Sequence, residues 1–103
     1  MKLFLWEILV PRNDNNGKDF PVSYHRLWDN EVVQIAGGLT IMKPTKGRWV
    51  DIGKELYIDR MIPVRILCTK KQIVEIVKFT ALHYVQKAIM YFKVSEEVQI
   101  YEP

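Results

Sequence analysis

Three groups of residues have side chains that could bind or transform a ligand, and each combines charge with a suitable neighbour. The first is Glu7 with Arg65, which strand pairing would place side by side on one face of a sheet. A carboxylate and a guanidinium in contact can form a two-bond ion pair. We expect this pair to fix strand register or oligomer geometry; the alternative is that it faces a ligand in a cleft between subunits.

The second group is basic and consists of Lys43, Lys46, Arg48, Lys70 and Lys71. The two adjacent lysines open a predicted helix, whose free backbone N–H groups could help to bind an anion. A glycine-rich phosphate loop is not present, because Gly37-Gly38 follows a helix and precedes a strand, the reverse of that motif. Solvated lysines are therefore the preferred interpretation, and an anion site is the alternative.

The third group, Trp49, Tyr57 and Asp59, lies on a predicted hairpin. Aromatic rings with an acid could bind the face of a nucleobase, or a sulfonium by cation–π attraction. Packing against a neighbouring subunit is the more common role of such residues, and we prefer it. The two histidines, His25 and His83, fall on different predicted helices, with His25 expected at the surface. We predict no metal site and no cofactor, and assign no catalytic residue.

Composition restricts the class of protein. The 103 residues include 49% hydrophobic side chains, which is enough for a single domain, residues 1–103, with one core. A net charge of +3 with both signs mixed gives no dense basic stripe, so nucleic-acid binding is the least favoured function. The lone Cys68, expected in the core, excludes an internal disulfide and fits a reducing compartment. We expect a cytoplasmic protein without a membrane span.

Hydrophobic periodicity and turn residues predict six elements. In chain order these are strand 2–10, helix 21–36, strand 39–50, strand 56–68, helix 69–88 and a last strand from residues 89–94 and 98–101. Gly37 ends the first helix, and Thr69 with Gln72 forms a capping box for the second. This order predicts an α+β fold, a ferredoxin-like βαββαβ sandwich. In it a four-stranded antiparallel sheet carries two helices on one face, with a long hairpin between its second and third strands.

The other face of that sheet would be apolar. Alternation places on it Leu3, Leu5, Leu9 and Leu67, and we expect Ile89 and Tyr91 there as well. A contiguous apolar patch of this size marks an interface in soluble proteins. We therefore predict a homo-oligomer, a dimer or trimer, packed through the open sheet face.

Short segments resemble a known group of proteins. They are Gly37–Thr40, Gly47–Trp49, Leu56–Asp59, Val64–Cys68 and Gln86–Tyr91. This layout is similar to small P-II-like ferredoxin-fold proteins of bacteria and phages, and distantly to phage S-adenosylmethionine lyases, trimeric enzymes that work at subunit interfaces. The resemblance implies the same fold and a site built at an interface. Trp49 stands near a tyrosine of the lyases, and Asp59 is an approximate counterpart of their glutamate.

These observations support three functional hypotheses. The leading one is an oligomeric module that binds a small anionic or nucleotide-like metabolite at a subunit interface. The first alternative is a lyase acting on S-adenosylmethionine, with Asp59 or Glu7 as the acid. The second is a structural or protein-interaction subunit without a ligand. The ligand-binding candidates are Glu7, Arg48, Trp49, Tyr57, Asp59, Arg65, Lys70 and Lys71.

Overall fold

The computed structural model describes residues 2–50 and 52–103, with all their side chains except those of Trp49 and Tyr57. The elements are strands β1 (Phe4–Pro11), β2 (Thr40–Ile41), β3 (Thr45–Val50), β4 (Leu56–Cys68) and β5 (Tyr91–Ser95), and helices α1 (Val22–Ala36) and α2 (Lys70–His83). Within the described helices, none is long and apolar enough to cross a membrane.

The antiparallel pair of β1 and β4 forms the centre of the sheet. Its register runs without a shift from Phe4↔Cys68 to Pro11↔Met61. Alternate side chains of both strands point to the helices and are buried, as the sequence predicts: Trp6, Ile8, Val10, Val64, Ile66 and Cys68. The expectation that Cys68 is a core residue is confirmed, and burial raises the pKa of its thiol to about 11.

The remaining strands complete a ferredoxin-like sheet. β5 pairs with the free side of β1, while β2 and β3 both pair with the free side of β4. β2 and β3 are two parts of one predicted strand that is interrupted before Thr45 by Pro44, which lacks a backbone donor. From Ile41 to Thr45 the segment of β2 and β3 contains one residue more than β4 contains between their partners Val64 and Met61. The α+β class and the ferredoxin-like architecture are confirmed.

The helices begin as predicted, but the second ends early. Gly37 closes α1 in the left-handed conformation, with φ 89°. At α2 the Thr69 hydroxyl accepts from the Gln72 backbone N–H at 3.1 Å, and the Gln72 side chain accepts from the Thr69 N–H at 2.9 Å. α2 ends at His83 rather than at Ala88, because the chain turns at Tyr84 and Val85 has φ 53°.

The last strand also differs from the expectation. β5 covers Tyr91–Ser95, and residues 98–101 are not in a strand. Tyr91 pairs with Ile8 and its ring lies 6.2 Å from that of Trp6, so it faces the helices; Phe92, which pairs with Glu7, takes the open face instead. Ile89 packs against the core. The predicted open-face position of Tyr91 is therefore wrong, because the residues between α2 and β5 set a different alternation.

Two tryptophans anchor the helices and the sheet by hydrogen bonds. The Trp28 indole N–H donates to the Thr80 hydroxyl at 2.8 Å, which itself donates to the Ile76 carbonyl at 2.6 Å. The Trp6 indole N–H donates to the Cys68 carbonyl at 3.1 Å. Each buried polar group thus has a partner, so the indoles add packing without an unsatisfied donor.

Candidate functional site

The sheet face that carries no helix, which we call the open face, holds the predicted ion pair at its centre. The Arg65 Nε donates to the Glu7 Oε1 at 3.0 Å, and the two residues are direct partners in the register of β1 and β4. The Glu7 side chain is only 13% exposed, whereas that of Arg65 is 39% exposed. The sequence thus placed this pair correctly, and the guanidinium supplies the charge that a nearly buried carboxylate requires.

A cleft with a volume of about 880 Å³ opens at one end of the open face. Its apolar wall consists of Leu9, Pro11, Met61, Ile89 and Met90. Its polar wall comes from the loop after β1, from the start of β4 and from the turn after α2: Asn13, Asp14, Asn15, Gly17, Asp59, Arg60 and Gln86. Three separate segments therefore meet here around a mixed apolar and polar surface, which is typical of small-molecule sites.

The loop after β1 is held in place by hydrogen bonds. Its ends are joined by the Phe20 N–H, which donates to the Arg12 carbonyl at 3.0 Å. Inside it the Asp14 carboxylate accepts from the backbone N–H groups of Asn16 and Lys18, both at 2.9 Å. The Asn13 amide donates to the Asp19 carboxylate. The wall that this loop gives to the cleft is thus preformed, and among the described residues no three His, Cys, Asp or Glu side chains are arranged to hold a metal ion.

The turn after α2 is tied to that loop. The Gln86 amide donates to the Tyr84 carbonyl at 3.1 Å and to the Asn15 side-chain oxygen at 3.4 Å. The Asn15 amide in turn donates to the Val85 carbonyl at 3.5 Å. Neither Asn15 nor Gln86 was a predicted site residue, because nothing in the sequence distinguishes these amide side chains from other amides on the surface.

Within one chain, the residues of the predicted basic group lie at two separate places. Arg48 pairs with Ile58 near the outer end of the β3–β4 hairpin, while Lys70 and Lys71 are exposed at the start of α2. The strand from Ile58 to Cys68 separates them, which at about 3.3 Å per residue is roughly 33 Å. An anion site that uses both ends would need a second chain.

Of the predicted group Trp49, Tyr57 and Asp59, the structure describes the side chain of Asp59. Trp49 and Tyr57 are backbone partners in the hairpin, but their side chains lie outside the described part. Asp59, which pairs with Gly47, lines the cleft. Among the predicted ligand-binding residues whose side chains the structure describes, Asp59 alone lines this cleft, while Glu7 and Arg65 lie further along the open face.

On the opposite face of the sheet, the two histidines belong to one aromatic cluster between the helices. The His25 Nδ1 lies 2.6 Å from the Tyr84 hydroxyl, and the His83 Nε2 donates to the Tyr24 carbonyl at 2.8 Å. The Tyr24 hydroxyl donates to the His83 carbonyl. Phe20 packs on Tyr24 and Tyr84, with ring centroids 5.3 and 5.0 Å away. These contacts join α1, α2 and the loop after β1.

The prediction of a surface position for His25 is wrong. His25 is half-buried, and burial, the largest effect, lowers its pKa; His83 lowers it further, while Asp29 and Asp19 raise it. Residues 25, 28 and 32 follow helical spacing, with Trp28 and Val32 buried, whereas Leu27 is 62% exposed. The spacing of His25 with Trp28 and Val32 is thus a signal in the sequence for its half-buried position.

No protein-family model matches the sequence, and a comparison with curated proteins finds no match. Solved structures do match. CutA1 from a psychrotrophic Shewanella bacterium is 9% identical, with a TM-score of 0.70 over 96% of this chain and 85% of that one. The Cut A1 divalent cation tolerance protein from Thermus thermophilus is 13% identical, with a TM-score of 0.65 over 98% of this chain and 86% of that one.

A second kind of protein shares this fold. A phage SAM lyase, solved in complex with S-methyl-5′-thioadenosine, is 10% identical, with a TM-score of 0.69 over 91% of this chain and 81% of that one. The chain has the CutA1-like fold. This result confirms the resemblance to small P-II-like proteins and to phage lyases, and it concerns the fold alone because identities are so low.

Proposed function

We propose that this chain is the subunit of a homo-oligomer, a dimer or trimer packed through the open face, that binds a small metabolite at the subunit interface. The observation that carries the proposal is the cleft, which opens on the one sheet face that no helix covers. A partner packed on that face would deepen an open groove into an enclosed site. Such a site would then be incomplete in a single chain.

The composition of the open face supports an interface. Leu3, Met90 and Phe92 are 44, 57 and 43% exposed, and they accompany Leu5, Leu9 and Leu67, which are partly exposed. Exposed apolar groups gathered on one face gain free energy when a partner covers them. The Glu7–Arg65 pair at the centre of this face would become more buried and would favour one orientation of the partner.

The lining of the cleft favours a nucleotide-like ligand. Met61, Met90 and Leu9 offer an apolar wall for a flat ring, and the amides of Asn13, Asn15 and Gln86 can recognise hydrogen-bonding groups on its edge. Among the described residues that line the cleft, two are acidic, Asp14 and Asp59, and one is basic, Arg60. Among anionic metabolites, those with little charge therefore fit better than a polyphosphate.

Titration followed by 1H–15N NMR tests the binding. We expect S-methyl-5′-thioadenosine or adenosine to shift resonances of Asn15, Asp59 and Gln86, and inorganic phosphate to shift them less. The variant Met90→Ala should weaken binding, while the matched control Met42→Ala, outside the cleft, should not. If no nucleoside moves these resonances in the assembled oligomer, the chain is better described as a structural subunit without a ligand.

Cleavage of S-adenosylmethionine is the second candidate, and the position of Asp59 in the cleft favours it. The similar phage lyase was solved with S-methyl-5′-thioadenosine, a nucleoside thioether. Incubation with S-adenosylmethionine should then release a new nucleoside product, detectable by chromatography. Asp59→Asn, or Glu7→Gln, should abolish turnover without unfolding the protein. If the wild-type chain forms no product, this candidate is excluded.

We also propose a cytoplasmic location, on the grounds that the lone thiol of Cys68 is buried and needs no disulfide partner. Nucleic acid remains the least favoured partner, since the described cationic side chains are spread along the chain, and the basic residues of the hairpin are separated from Lys70 and Lys71 at the start of α2. Binding to nonspecific DNA with a steep salt dependence would contradict that view.

A further inference from the structure

We propose that His25 is a positioning residue for the cleft, which acts through Tyr84 and the turn at Val85–Gln86 and releases the loop after β1 when it becomes protonated. The ligand part of this inference rests on the proposed function, whereas the release of the loop can be tested without a ligand. The proposal starts from a chain of contacts that crosses the molecule from the aromatic cluster to the cleft.

The first contact is the hydrogen bond between Tyr84 and His25. Burial, the largest effect, raises the pKa of the Tyr84 hydroxyl, which therefore keeps its proton, and burial lowers the pKa of His25. Near neutral pH the ring is uncharged, and in the tautomer that carries its proton on Nε2 the Nδ1 accepts from the Tyr84 hydroxyl across 2.6 Å. A protonated His25 has an N–H at that atom, so two donors would face each other until the hydroxyl turns away.

The surroundings limit where the hydroxyl can turn. A small cavity of about 120 Å³ is lined by His25, Tyr84 and Asp29, among apolar side chains of α1, β1, β2 and β4: Val10, Trp28, Ile41, Ile62 and Val64. The polar groups around His25 are Asp29 and Tyr24 from α1, His83 and Tyr84 from α2, and Asp19 from the loop. Among the described residues that line this cavity, Asp29 alone carries a carboxylate.

The second contact is the turn itself. Tyr84 is 1% exposed and caps α2, and Val85 directly after it has φ 53°, a conformation that a β-branched residue adopts only under constraint. Gln86 then joins the Tyr84 carbonyl to the Asn15 side chain, and Asn15 donates back to the Val85 carbonyl. A change in the position of Tyr84 therefore moves Asn15 and Gln86, two of the amide side chains that line the cleft.

A third contact acts in parallel. Phe20, whose N–H closes the loop after β1, packs edge-on against Tyr84 at 5.0 Å and lies 6.2 Å from His25. Asp19, beside it, interacts with the charge of His25. The loop is thus attached to the cluster at its end and to the turn at Asn15. Protonation of His25 weakens the attachment at Asn15 by displacing Tyr84, whereas the attraction between Asp19 and the imidazolium opposes release at the other end of the loop. The polar wall of the cleft should therefore loosen at Asn15 and Gln86.

NMR measurements between pH 5 and 8 test the release of the loop in the free protein. We expect the side-chain amide resonances of Asn15 and Gln86 to shift with the same midpoint as the His25 ring, below 6.5. The exposed Gln34 amide on α1 serves as an internal control and should not follow that midpoint. If the Asn15 and Gln86 resonances do not follow His25, the proposal is wrong.

Two variants test whether His25 acts on Asn15 and Gln86 through its hydrogen bond to Tyr84 or only through the electric field of its charge. Tyr84→Phe keeps the charge of His25 but removes the hydroxyl, so the Asn15 and Gln86 resonances should lose most of their titration. His25→Gln keeps a hydrogen-bonding group that does not titrate, and should make both resonances independent of pH even if Tyr84→Phe fails to fold. Persistence of the titration in either variant would overturn the proposal.

The ligand part has its own readout. With S-methyl-5′-thioadenosine as the probe, we expect affinity to fall severalfold from pH 7.5 to 5.5 in the wild type and to stay constant in His25→Gln. Coupled amide titrations without any binding of the probe would support the loop release and contradict the proposed function. Binding with the same pH dependence in both proteins would contradict the role of His25.

Discussion

At the scale of single residues, the contact between Glu7 and Arg65 could be predicted from the alternation of side chains along two paired strands. Both residues stand at odd positions of predicted strands, and antiparallel pairing of the two central strands brings them together. Their 3.0 Å contact joins a nearly buried carboxylate to a half-exposed guanidinium. The cost of removing either partner should therefore be unequal.

Arg65→Met should destabilise the protein by about 1–2 kcal/mol, because it leaves the Glu7 carboxylate nearly buried without a partner. Glu7→Gln should cost less, since a neutral amide can still accept from Arg65. The double variant Glu7→Leu with Arg65→Met should recover part of the loss. Urea denaturation of the four proteins measures these differences, and a double variant no more stable than Arg65→Met would show that the unpaired carboxylate is not the cause of the loss.

His25 makes stability depend on pH. Its pKa is lowered by burial in the folded protein, so the unfolded chain binds a proton first as pH falls below 6.5. Stability should therefore be fully present above that value and decrease as pH falls towards the lower folded pKa. Thermal denaturation from pH 7.5 to 5.0 measures this decrease in stability, and His25→Gln should remove it. If the wild type and the variant have the same pH profile, the side chain of His25 is exposed to solvent.

The candidate site was only partly predictable at this scale. Charged and aromatic residues draw attention in a sequence, and Asp59 and the Glu7–Arg65 pair were found in that way. Asn15 and Gln86 were not, because an amide becomes part of a site only through chain segments that are far apart in sequence. Their contact joins a loop and a turn 71 residues apart, and only the fold brings these segments together.

At the scale of elements, boundaries marked by a local sequence pattern were easier to predict than boundaries set by tertiary packing. The start of α2 is set by a local pattern, the capping box of Thr69 and Gln72, which sequence shows directly. Its end is set by tertiary packing: Tyr84 is drawn into the aromatic cluster, and Val85 takes φ 53° although no glycine marks the position. The position of β5 depends on that end, which explains why the prediction for the face of Tyr91 is wrong.

Val85→Gly should stabilise the protein by about 0.5–1 kcal/mol, because glycine adopts the left-handed conformation without the steric cost paid by valine. Little packing is lost, since Val85 is 70% exposed. The matched control is Val33→Gly, an exposed position within α1, which should destabilise by a similar amount. Chemical denaturation compares them, and equal losses in both would mean that Val85 is not strained.

At the scale of the whole molecule, the sheet has one covered face and one open face. The sandwich architecture was predictable from element order, because few arrangements of two helices and a four-stranded sheet bury all the apolar stripes. The cleft was not, since its volume depends on how far the hairpin and the loop after β1 extend beyond the sheet. The proposed assembly follows from the apolar open face.

Light scattering after gel filtration should give a mass two or three times 12.2 kDa. Phe92→Lys, which places a charge on the apolar open face, should shift the protein towards the monomer. Leu82→Lys is the matched control, because Leu82 is 80% exposed on α2 at the opposite face, and it should leave the mass unchanged. A monomeric wild-type protein would contradict the proposed interface.

The hairpin has one further consequence, for solubility. In the described chain no strand pairs with the outer side of β3, so its backbone groups are available to any extended chain, and only the exposed Lys46 and Arg48 oppose such pairing by charge repulsion. High salt should screen this repulsion, and Lys46→Gln with Arg48→Gln should remove it. We expect that variant to form thioflavin-positive fibrils during storage, whereas Lys43→Gln, which lies outside the strand, should remain clear.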